Sequence, residues 1–298
     1  MRPKLSIVIL NYNTKDLLRD CLLSLKKVRG EIDFEVIVPD NGSTDGSPEM
    51  VEKDFPWVKK VIKIGKNLGF AAGNNVALEK VKSEFVLLLN PDTIVYPKTI
   101  SRVLNYMRDN VDAGAVTCRV ELPDGKLDYS CHRGFPTPWN AFCYFSGLSN
   151  IFPGSKFFSG YTTTYKDLNS IHEVDALTGA FAMIRTKAGR QVGWFDEDYF
   201  WNGEDIDFCY KLKERKWKVI YIPDVKITHF KGSASGLKKT GIGNTEKSVK
   251  KKASLSSTQV MRLFYKKHLA QNYPFYVNWI VYLGINILEG FRVSKSSI

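Results

Sequence analysis

Short, continuous apolar runs alternate with amphipathic stretches along the first 120 residues of the chain. Each run has the length of a strand and ends in turn residues, a pattern typical of strands buried on both faces of a sheet. The candidate strands cover residues 5–10, 34–38, 58–64, 84–89 and 113–120. Helical spacing marks the intervening residues 17–25, 74–82 and 97–109. The alternation predicts an α/β fold with a mostly parallel central sheet flanked by helices.

The second half of the chain is less regular. Residues 123–172 are rich in aromatic residues, Pro, Gly and Ser without a sustained period, so we predict irregular structure that could shape a binding pocket. Strand patterns return at residues 173–185 and 219–230, and a helical pattern covers residues 204–216 between them. Residues 235–257 are rich in Gly, Ser and Lys, which predicts a mobile loop.

Two candidate helices follow that loop. Residues 260–268 are basic and amphipathic, and residues 273–288 are apolar and aromatic but interrupted by Asn278, Gly284 and Asn286. A membrane-spanning helix needs about 20 predominantly apolar residues. The interrupted run of 16 residues is therefore short for a span, and we predict a helix that lies in a membrane interface.

Charge is concentrated at one end of the chain. The formal net charge is +12, and residues 231–298 contain ten Lys and two Arg against Glu246 and Glu289. The first 230 residues are therefore nearly neutral. This distribution argues against nucleic-acid binding by the whole protein and predicts an anionic partner for the C-terminal part alone.

The cysteines and the first residues bear on the compartment. The five cysteines are odd in number and widely spaced, without a C-x-x-C pair. That usage is typical of a reducing compartment rather than of a disulfide framework or a zinc site. The apolar run after Met1 is too short for a signal peptide. We therefore expect a cytoplasmic protein.

Polar clusters follow the candidate strands, at the edge where open α/β sheets bind ligands. Asp40 begins the sequence DNGSTDG, and residues 67–75 read NLGFAAGNN, which does not match the G-x-G-x-x-G of dinucleotide enzymes. Asp92 ends a very apolar run, where a carboxylate is well placed to bind Mg²⁺ or Mn²⁺. On turn chemistry alone the Asp40 cluster is more often a plain turn, and the Asp92 cluster could equally be one, since Asn-Gly, Asp-Gly and Pro-Asp are common turn pairs. Residues 67–75 open a helix, so their backbone N–H groups could face a ligand.

Glu204 and Asp205 open the helix predicted at residues 204–216. The helical spacing predicts an inward stripe made of Asp205, Phe208, Cys209 and Leu212. Glu204 lies about 100° away from Asp205 on the helix, so the two should not share one task. Acidic residues in a first turn can also serve only to complement the helix dipole. His229, which ends a strand pattern, is on its own more often structural than a ligand.

Together these segments resemble family two of the nucleotide-sugar glycosyltransferases, particularly its rhamnosyltransferase-like branch. The resemblance runs from about Leu5 to Ser233, some three quarters of the chain. Its segments are residues 6–13 (SIVILNYN), 40–47 (DNGSTDGS), 67–75 (NLGFAAGNN), 89–93 (LNPDT), 177–180 (LTGA), 193–197 (GWFDE) and 203–207 (GEDID). The order of all seven segments carries the resemblance. It implies the GT-A fold and an inverting transfer of a sugar from a nucleotide diphosphate to an acceptor hydroxyl.

The resemblance also assigns roles to residues. It implies that Asp205 is the catalytic base, and that Asp92 and His229 bind the divalent metal, Mg²⁺ or Mn²⁺. It implies that the donor is bound by Asn11, Asn13, Asp40, Asn67, Gly69, Phe70, Asn74, Asn90, Gly179 and Glu204. Many relatives carry Asp where this chain has Asn90. We therefore do not expect residue 90 to bind the metal directly.

The expected domains are a catalytic domain, residues 1–233, and a basic loop with amphipathic helices, residues 234–298. Within the first, residues 1–120 would bind the nucleotide, and residues 121–233 would bind the acceptor and carry the base. The branch favours dTDP-rhamnose as donor and a saccharide or lipid-linked saccharide, in polysaccharide or glycolipid synthesis, as acceptor. We hypothesise that residues 238–293 hold the protein on the anionic inner face of the cell membrane. The alternative is that these helices pack on the catalytic domain or form an oligomer interface.

Two other functions compete with transfer. A non-catalytic nucleotide-sugar-binding protein would not need Asp205 beside Asp92. A sugar nucleotidyltransferase usually has a Gly-rich, basic loop after its first strand, whereas this chain has Asn11-Tyr12-Asn13-Thr14 there. We therefore predict a glycosyltransferase.

Overall fold

In the part of the chain that the structure describes, nine strands form one sheet. The computed structural model describes residues 4–200, 202–232 and 257–297. The strands are β1 (Leu5–Val8), β2 (Phe34–Asp40), β3 (Lys60–Lys63), β4 (Phe85–Leu89), β5 (Thr93–Val95), β6 (Ala113–Glu121), β7 (His172–Glu173), β8 (Phe181–Arg185) and β9 (Lys218–His229). Their order in the sheet is β3-β2-β1-β4-β8-β6-β9-β5, and β7 pairs with β9.

Helices connect and flank the strands. The helices are α1 (Lys15–Val28), α2 (Ser47–Asp54), α3 (Phe70–Leu78), α4 (Thr99–Asp109), α5 (Pro138–Phe145), α6 (Leu148–Ile151), α7 (Thr186–Gln191), α8 (Glu204–Glu214), α9 (residues 257–264) and α10 (Phe275–Ser297). A π-helical turn, Tyr265–Leu269, and a 3₁₀ turn, Ala270–Asn272, lie between α9 and α10. A further 3₁₀ turn, Tyr129–Cys131, follows β6.

The first four strands are parallel, with β1 hydrogen-bonded between β2 and β4. Leu5 lies opposite Phe34 on one side and Phe85 on the other. Every residue of β1 and of β4 is buried. A strand covered on both faces reads as a continuous apolar run, which is why the sequence predicted these strands. All five strands predicted in this part form, and their ends differ by at most two residues.

The sheet then changes direction, because β8 runs antiparallel between β4 and β6. Leu89, the last residue of β4, lies opposite Phe181, the first residue of β8. The single strand predicted at residues 173–185 is wrong, since the chain forms two strands joined by a loop. That loop looked like a strand in the sequence because Val174, Ala176 and Leu177 are buried.

Residues 123–172, predicted to be irregular, contain two short helices, α5 and α6. Pro138 stands in the first turn of α5, and the Thr137 side chain accepts a hydrogen bond from the backbone N–H of Asn140 at 3.2 Å. A capping Thr followed by Pro is a regular start signal for a helix. The Pro-rich and aromatic composition concealed that signal.

The helices of the C-terminal part pack on the rest of the protein. Phe264, Tyr265 and Leu269 form a small buried cluster, and the ring of Phe264 stacks on Phe135 with the centroids 6.4 Å apart. A Cβ atom added at Gly203, just before α8, would lie 2.3 Å from the Val260 side chain. Residues 257–269 are therefore part of the catalytic body, which confirms the packing alternative for this stretch.

Helix α10 has one packed face and one exposed face. Val281 and Tyr282 pack against the Phe264 cluster, and Ile285 is buried. The opposite face exposes the large apolar side chains of Phe275, Tyr276, Trp279, Ile280, Leu283, Ile287 and Phe291. Among the described residues, no helix combines the length and the apolarity needed to cross a membrane.

The structure does not test two of the expectations drawn from the sequence. The mobile loop predicted at residues 235–257 falls almost entirely outside the described residues. The division into residues 1–120, 121–233 and 234–298 stays a prediction. One sheet joins strands from both predicted halves of the catalytic domain.

The packing of α9 predicts a difference between two aromatic residues. Phe264→Ala should lower the free energy of unfolding by about 3 kcal/mol, because it empties a buried ring site. Phe275→Ala on the exposed face of α10 is the matched control and should change it by about 0.5 kcal/mol or less. Urea titration followed by circular dichroism measures both. Equal effects of the two substitutions would contradict the packing of residues 257–269 on the catalytic body.

Candidate active site

The first part of the site lies where β1 and β2 end. Asn11 is fully buried, and its side-chain N–H₂ donates to Asp40 Oδ1 at 2.7 Å and to Ser47 Oγ at 2.8 Å. Its side-chain oxygen accepts from the Thr14 hydroxyl at 2.6 Å. The polar atoms of Asn11 are thus engaged within the protein, and the residue holds Asp40 in place. Direct contact between Asn11 and the donor stays a prediction.

Asp40 is buried beneath its own turn. The Ser43 hydroxyl donates to Asp40 Oδ1 at 2.6 Å, and the Ser43 backbone N–H donates to Oδ2 at 3.0 Å. Asn13 has a positive φ of 52°, and its side-chain oxygen accepts from the Thr44 backbone N–H at 2.8 Å. The residues that follow Asp40 therefore form a turn. This turn also brings Asn11, Asn13 and Asp40 together at one edge of the sheet.

The loop before α3 is organised by Asn41, a residue that the sequence did not single out. The Asn41 amide donates to Asn67 Oδ1 at 2.9 Å and to the Gly69 carbonyl at 3.1 Å. Its oxygen accepts from the Leu68 backbone N–H at 2.9 Å. Asn67 and Gly69 are thus tied to the end of β2, beside Asp40.

Gly69 is required at its position by both conformation and space. Its φ is +84°, and an added Cβ atom would lie 2.5 Å from the Phe200 carbonyl oxygen. That carbonyl accepts from the Phe70 backbone N–H at 2.9 Å, which joins the start of α3 to the loop before α8. The helix predicted at residues 74–82 begins earlier, at Phe70, and Asn74 within it donates to the Phe70 carbonyl at 2.9 Å.

Asn75, rather than Asn74, makes the long-range contacts. Its amide donates to the Phe195 carbonyl and to Glu197 Oε1, both at 2.9 Å, and its oxygen accepts from the Phe195 backbone N–H at 3.2 Å. These three hydrogen bonds hold residues 193–197 against α3. A Cβ atom at Gly179 would lie 2.9 Å from the Phe70 ring, so Gly179 and Phe70 are in close contact.

Asn90 and Asp92 follow β4 directly. The Asn90 backbone N–H donates to the Ala180 carbonyl at 3.2 Å, and its carbonyl accepts from the Thr93 hydroxyl at 2.7 Å. Asp92 is 2% exposed, and its Oδ1 lies 3.3 Å from His229 Nε2. That contact lacks hydrogen-bond geometry, so Asp92 Oδ1 is buried without a hydrogen-bond partner. Buried polar atoms are rarely left unpaired, and this one marks a position for a ligand.

Asp128 lies on the other side of the His229 ring, a contact that the sequence did not indicate. The His229 Nδ1 atom is 3.2 Å from Asp128 Oδ2, and Lys231 Nζ is 2.7 Å from Asp128 Oδ1. The ring is thereby oriented with Nε2 toward Asp92. Burial disfavours the imidazolium, but the carboxylates of Asp128 and Asp92 outweigh this and raise the pKa of His229 to about 9.

The described residues contain no group of three or more His, Cys, Asp or Glu side chains arranged to hold a metal ion. Asp92 and His229 together offer one carboxylate oxygen and one imidazole nitrogen. A cation bound there would need its remaining ligands from a substrate or from water. An imidazole held by a carboxylate on its far nitrogen is the usual arrangement for a metal-binding histidine.

The third part of the site is the start of α8. Arg133 Nη2 donates to Asp205 Oδ2 at 2.7 Å and to the Leu177 carbonyl at 3.2 Å. The second oxygen of Asp205 accepts from the Ile206 backbone N–H at 2.8 Å. Because Leu177 lies in the loop that meets Asn90, Arg133 joins Asp205 to the end of β4.

Glu204 and Asp205 have different surroundings. Glu204 is 6% exposed, and one of its oxygens has no hydrogen-bond partner within the described protein. Burial and the neighbouring charge of Asp205 raise the pKa of Glu204 well above its ordinary value. Asp205 is partly exposed and has the Arg133 cation beside it. The two neighbouring carboxyl groups therefore differ in their surroundings: burial favours the neutral form of Glu204, whereas Asp205 is hydrogen-bonded to a cation.

The stripe predicted for α8 is partly wrong. Phe208, Cys209 and Leu212 are buried as expected, but Glu204 and Asp207 are more buried than Asp205. Asp207 is covered by the C-terminal part, where His268 Nε2 lies 2.6 Å from Asp207 Oδ1. Burial opposes ionisation of Asp207, yet the His268 and Lys211 side chains hold its pKa below the ordinary value.

Comparison with known proteins assigns this arrangement to a family. The model of glycosyl transferase family 2 matches residues 6–188, a range that contains the Asn11, Asp40, Asn67 and Asp92 segments. The chain belongs to glycosyl transferase family 2. The family predicted from the seven sequence segments is thereby confirmed.

Two rhamnosyltransferases are among the relatives of this family 2 chain. The N-acetylglucosaminyl-diphospho-decaprenol L-rhamnosyltransferase of Mycobacterium tuberculosis is 28% identical over 250 residues, which cover 79% of each protein. Rhamnosyltransferase WbbL of Escherichia coli K12 is 26% identical over 243 residues, 75% of this chain and 82% of WbbL. These relatives and the family confirm that the protein is a nucleotide-sugar glycosyltransferase.

Solved structures confirm the GT-A fold. The mannosyltransferase PcManGT from Pyrobaculum calidifontis, in complex with GDP-Man and Mn²⁺, has a TM-score of 0.58 at 16% identity, covering 100% of this chain and 74% of that one. S. aureus TarS in complex with UDP-GlcNAc has a TM-score of 0.52 at 18% identity, covering 90% and 73%. The mostly parallel sheet flanked by helices was therefore predicted correctly.

Proposed function

We propose that this glycosyltransferase inverts the configuration of the transferred sugar and uses Asp205 as its general base. The observation that carries the proposal is the contrast between the two neighbouring carboxyl groups. Glu204 is buried with one oxygen that lacks a hydrogen bond, and burial raises its pKa, whereas Asp205 is partly exposed and paired with Arg133. Neighbouring carboxyl groups in such contrasting surroundings are typical of a site that transfers a proton.

The chemistry asked of Asp205 is a single proton transfer. The acceptor hydroxyl oxygen forms a bond with C1 of the donor sugar while the bond from C1 to the nucleotide diphosphate breaks on the opposite face. The hydroxyl proton passes to Asp205, which contributes about 10²–10⁴ in rate. Arg133 holds the carboxylate in one orientation through the 2.7 Å contact. The diphosphate leaves as an anion and needs no acid, so one carboxylate suffices.

The residues after β4 and β9 fit a divalent cation. Asp92 Oδ1 is buried without a hydrogen bond, and His229 Nε2 lies 3.3 Å from it. Carboxylate oxygen and imidazole nitrogen together suit Mn²⁺ or Mg²⁺. When bound, such an ion supplies positive charge that stabilises the departing diphosphate. Asp128 keeps the His229 ring turned toward Asp92.

The relatives support a proposal for the donor and the acceptor. Two relatives bear the name of rhamnosyltransferases, and one of those names specifies a diphospho-decaprenol substrate. We therefore assign dTDP-rhamnose as donor and a lipid-linked saccharide of cell-surface glycan synthesis as acceptor. Asp40, Asn67 and Gly69 would contact the nucleoside, and Phe70, Asn74, Asn90, Gly179 and Glu204 would line the rest of the donor site. The two competing functions, donor binding without turnover and nucleotidyl transfer, have no contact in this site that favours them.

Membrane association completes the proposal. The outward face of α10 exposes Phe275 and Trp279, which are 82% and 65% exposed. The residues from 231 onward carry a large excess of Lys and Arg. An amphipathic helix with aromatic residues and basic surroundings binds an anionic interface. We propose that α10 holds the enzyme on the cytoplasmic membrane face, beside its lipid-linked acceptor.

Substitution of the proposed base tests the mechanism. Asp205→Asn should lower kcat by about 10²–10⁴ while donor affinity stays close to that of the wild type, because only the proton acceptor is lost. Asp124→Asn, at an exposed carboxylate outside the site, is the matched control and should leave kcat unchanged. Transfer assays and donor titrations measure both. If folded Asp205→Asn protein showed near-normal turnover, Asp205 could not be the general base.

Asp92→Ala tests the metal site. We expect donor affinity at saturating Mn²⁺ to fall by about tenfold or more, because Asp92 would help to hold a cation whose charge would attract the diphosphate. When a chelator removes divalent cations, the variant and the wild type should bind the donor with equal affinity. Asp124→Ala removes an exposed carboxylate and serves as control. Isothermal titration of the donor with and without Mn²⁺ measures the difference, and unchanged affinity of Asp92→Ala would contradict the proposal.

The membrane proposal is tested on α10 with the whole chain, since deletion of the C-terminal part would remove the buried Phe264 cluster. The wild type should sediment with vesicles of phosphatidylcholine and phosphatidylglycerol and be partly released at high salt. Phe275→Asp with Trp279→Asp should abolish sedimentation without lowering thermal stability, because both side chains are exposed. Val111→Asp, at a site that is 73% exposed elsewhere, is the matched control. If the wild type stayed in the supernatant when the vesicles were sedimented, membrane association would be refuted. The catalytic proposal would be unaffected.

A further inference from the structure

One surface segment has a composition unlike the rest of the molecule. Residues 134–155 are 22 consecutive residues without Asp, Glu, Lys, Arg or His. Helices α5 and α6 lie within them, and we call residues 138–157 the aromatic segment. Its exposed side chains are Trp139, Phe142, Tyr144, Phe145, Ile151, Phe152 and Phe157. Apolar exposure on this scale is uncommon on the surface of a soluble monomer and marks an interaction surface.

The exposed rings pack against one another, and they are not part of the main hydrophobic core. The Trp139 ring lies 5.6 Å from that of Phe142 and 4.8 Å from that of Phe157, measured between centroids. The Trp139 indole N–H donates to the Phe157 carbonyl at 2.9 Å. Phe142 and Phe157 nevertheless remain 55% and 63% exposed. The segment thus presents a fixed aromatic surface outward.

The aromatic segment lies beside α10. The Arg292 guanidinium, near the end of α10, is 6.0 Å from the centroid of the Phe145 ring at the end of α5. Just before α5, Phe135 stacks on Phe264 of α9. The aromatic segment and α10 together hold fourteen of the twenty-two exposed large apolar side chains among the described residues. The two surfaces are therefore neighbours, and most of the apolar exposure of the described protein is concentrated in them.

The segment is also close to the catalytic base. Pro138, the first residue of α5, follows Arg133 by five residues, and Arg133 is paired with Asp205. Five extended residues span at most about 18 Å. A surface that contacts α5 is thus held within a short distance of the site where the acceptor hydroxyl must arrive.

Charge identifies the partner. The aromatic segment has no acidic residue before Lys156, and the cation of Arg292 lies against its Phe145 ring. In the sequence, the residues from 231 onward contain ten Lys and two Arg, Arg292 among them, against Glu246 and Glu289. Exposed aromatic rings beside a cation, in a segment that contains no Asp or Glu, suit the anionic headgroup and acyl-chain boundary of a bilayer.

We propose that the aromatic segment is a second membrane contact, which inserts beside α10 and fixes the orientation of the active site toward the bilayer. This inference rests on the proposed membrane association of α10. A single interfacial helix leaves the protein free to roll about the helix axis. A second contact beside the catalytic base removes that freedom and keeps the acceptor end of the site facing the lipid surface.

Site-specific fluorescence tests the inference, because all five cysteines are buried and a new surface cysteine can be labelled selectively. Full-length Phe142→Cys, Trp279→Cys and Val111→Cys are each labelled with an environment-sensitive dye. They are then mixed with vesicles of phosphatidylcholine and phosphatidylglycerol, with or without bromine on the acyl chains. Positions 142 and 279 should both shift to the blue and be quenched by the brominated lipid. Position 111 should do neither.

The outcomes separate the two proposals. A response at position 279 without one at position 142 would overturn the aromatic segment as a membrane contact and leave α10 as the anchor. No response at either position would refute membrane association itself. A blue shift at position 142 that grows with protein concentration in the absence of vesicles would overturn the inference in favour of a second copy of the chain.

A paired substitution measures the strength of the contact. Phe142→Asp with Ile151→Asp should weaken vesicle binding by about tenfold or more, because it replaces two exposed apolar side chains with charges that an anionic surface repels. Val111→Asp again serves as control. Transfer to a water-soluble acceptor should be unaffected in both. Vesicle binding equal to that of the wild type would overturn the inference.

Discussion

Buried amide side chains hold the ligand-binding edge of the sheet together. Backbone N–H and C=O groups in a buried loop must find partners, and an Asn side chain can supply a donor and an acceptor at once. Asn11 joins the ends of β1 and β2, Asn41 joins β2 to the loop before α3, and Asn75 joins α3 to residues 193–197. These amides thereby fix the loops at this edge of the sheet and hold Asp40 among them.

On that framework, similar side chains acquire different properties from their surroundings. Asp40 is held by hydroxyl and amide donors, and Asp205 is held by a cation. Asp92 keeps one buried oxygen without a hydrogen bond, and burial raises the pKa of Glu204. The four carboxyl groups thus suit four tasks in the proposed reaction, although the sequence distinguishes them only by position.

The strands of the parallel half could be predicted because burial on both faces makes a continuous apolar run. The same rule misled the prediction at residues 173–185, where Val174, Ala176 and Leu177 are apolar loop residues buried under the sheet edge. Of the site, the segments at strand ends were recognisable by their order. Arg133 and Asp128 were not, because each meets its partner across a long stretch of chain with no local pattern. An isolated Arg before an uncharged segment was the only available signal.

The contact between His268 and Asp207 has a consequence for how this architecture can be rearranged. The chain between β9 and α9 separates the two residues in sequence, yet α8 is completed only when residues 257–269 lie against it. A chimera or natural recombinant that exchanged everything after β9 would uncover Asp207 and the Phe264 cluster. The usable junction for exchanging the last helix lies after Asn272, so that any replacement segment must begin with α10.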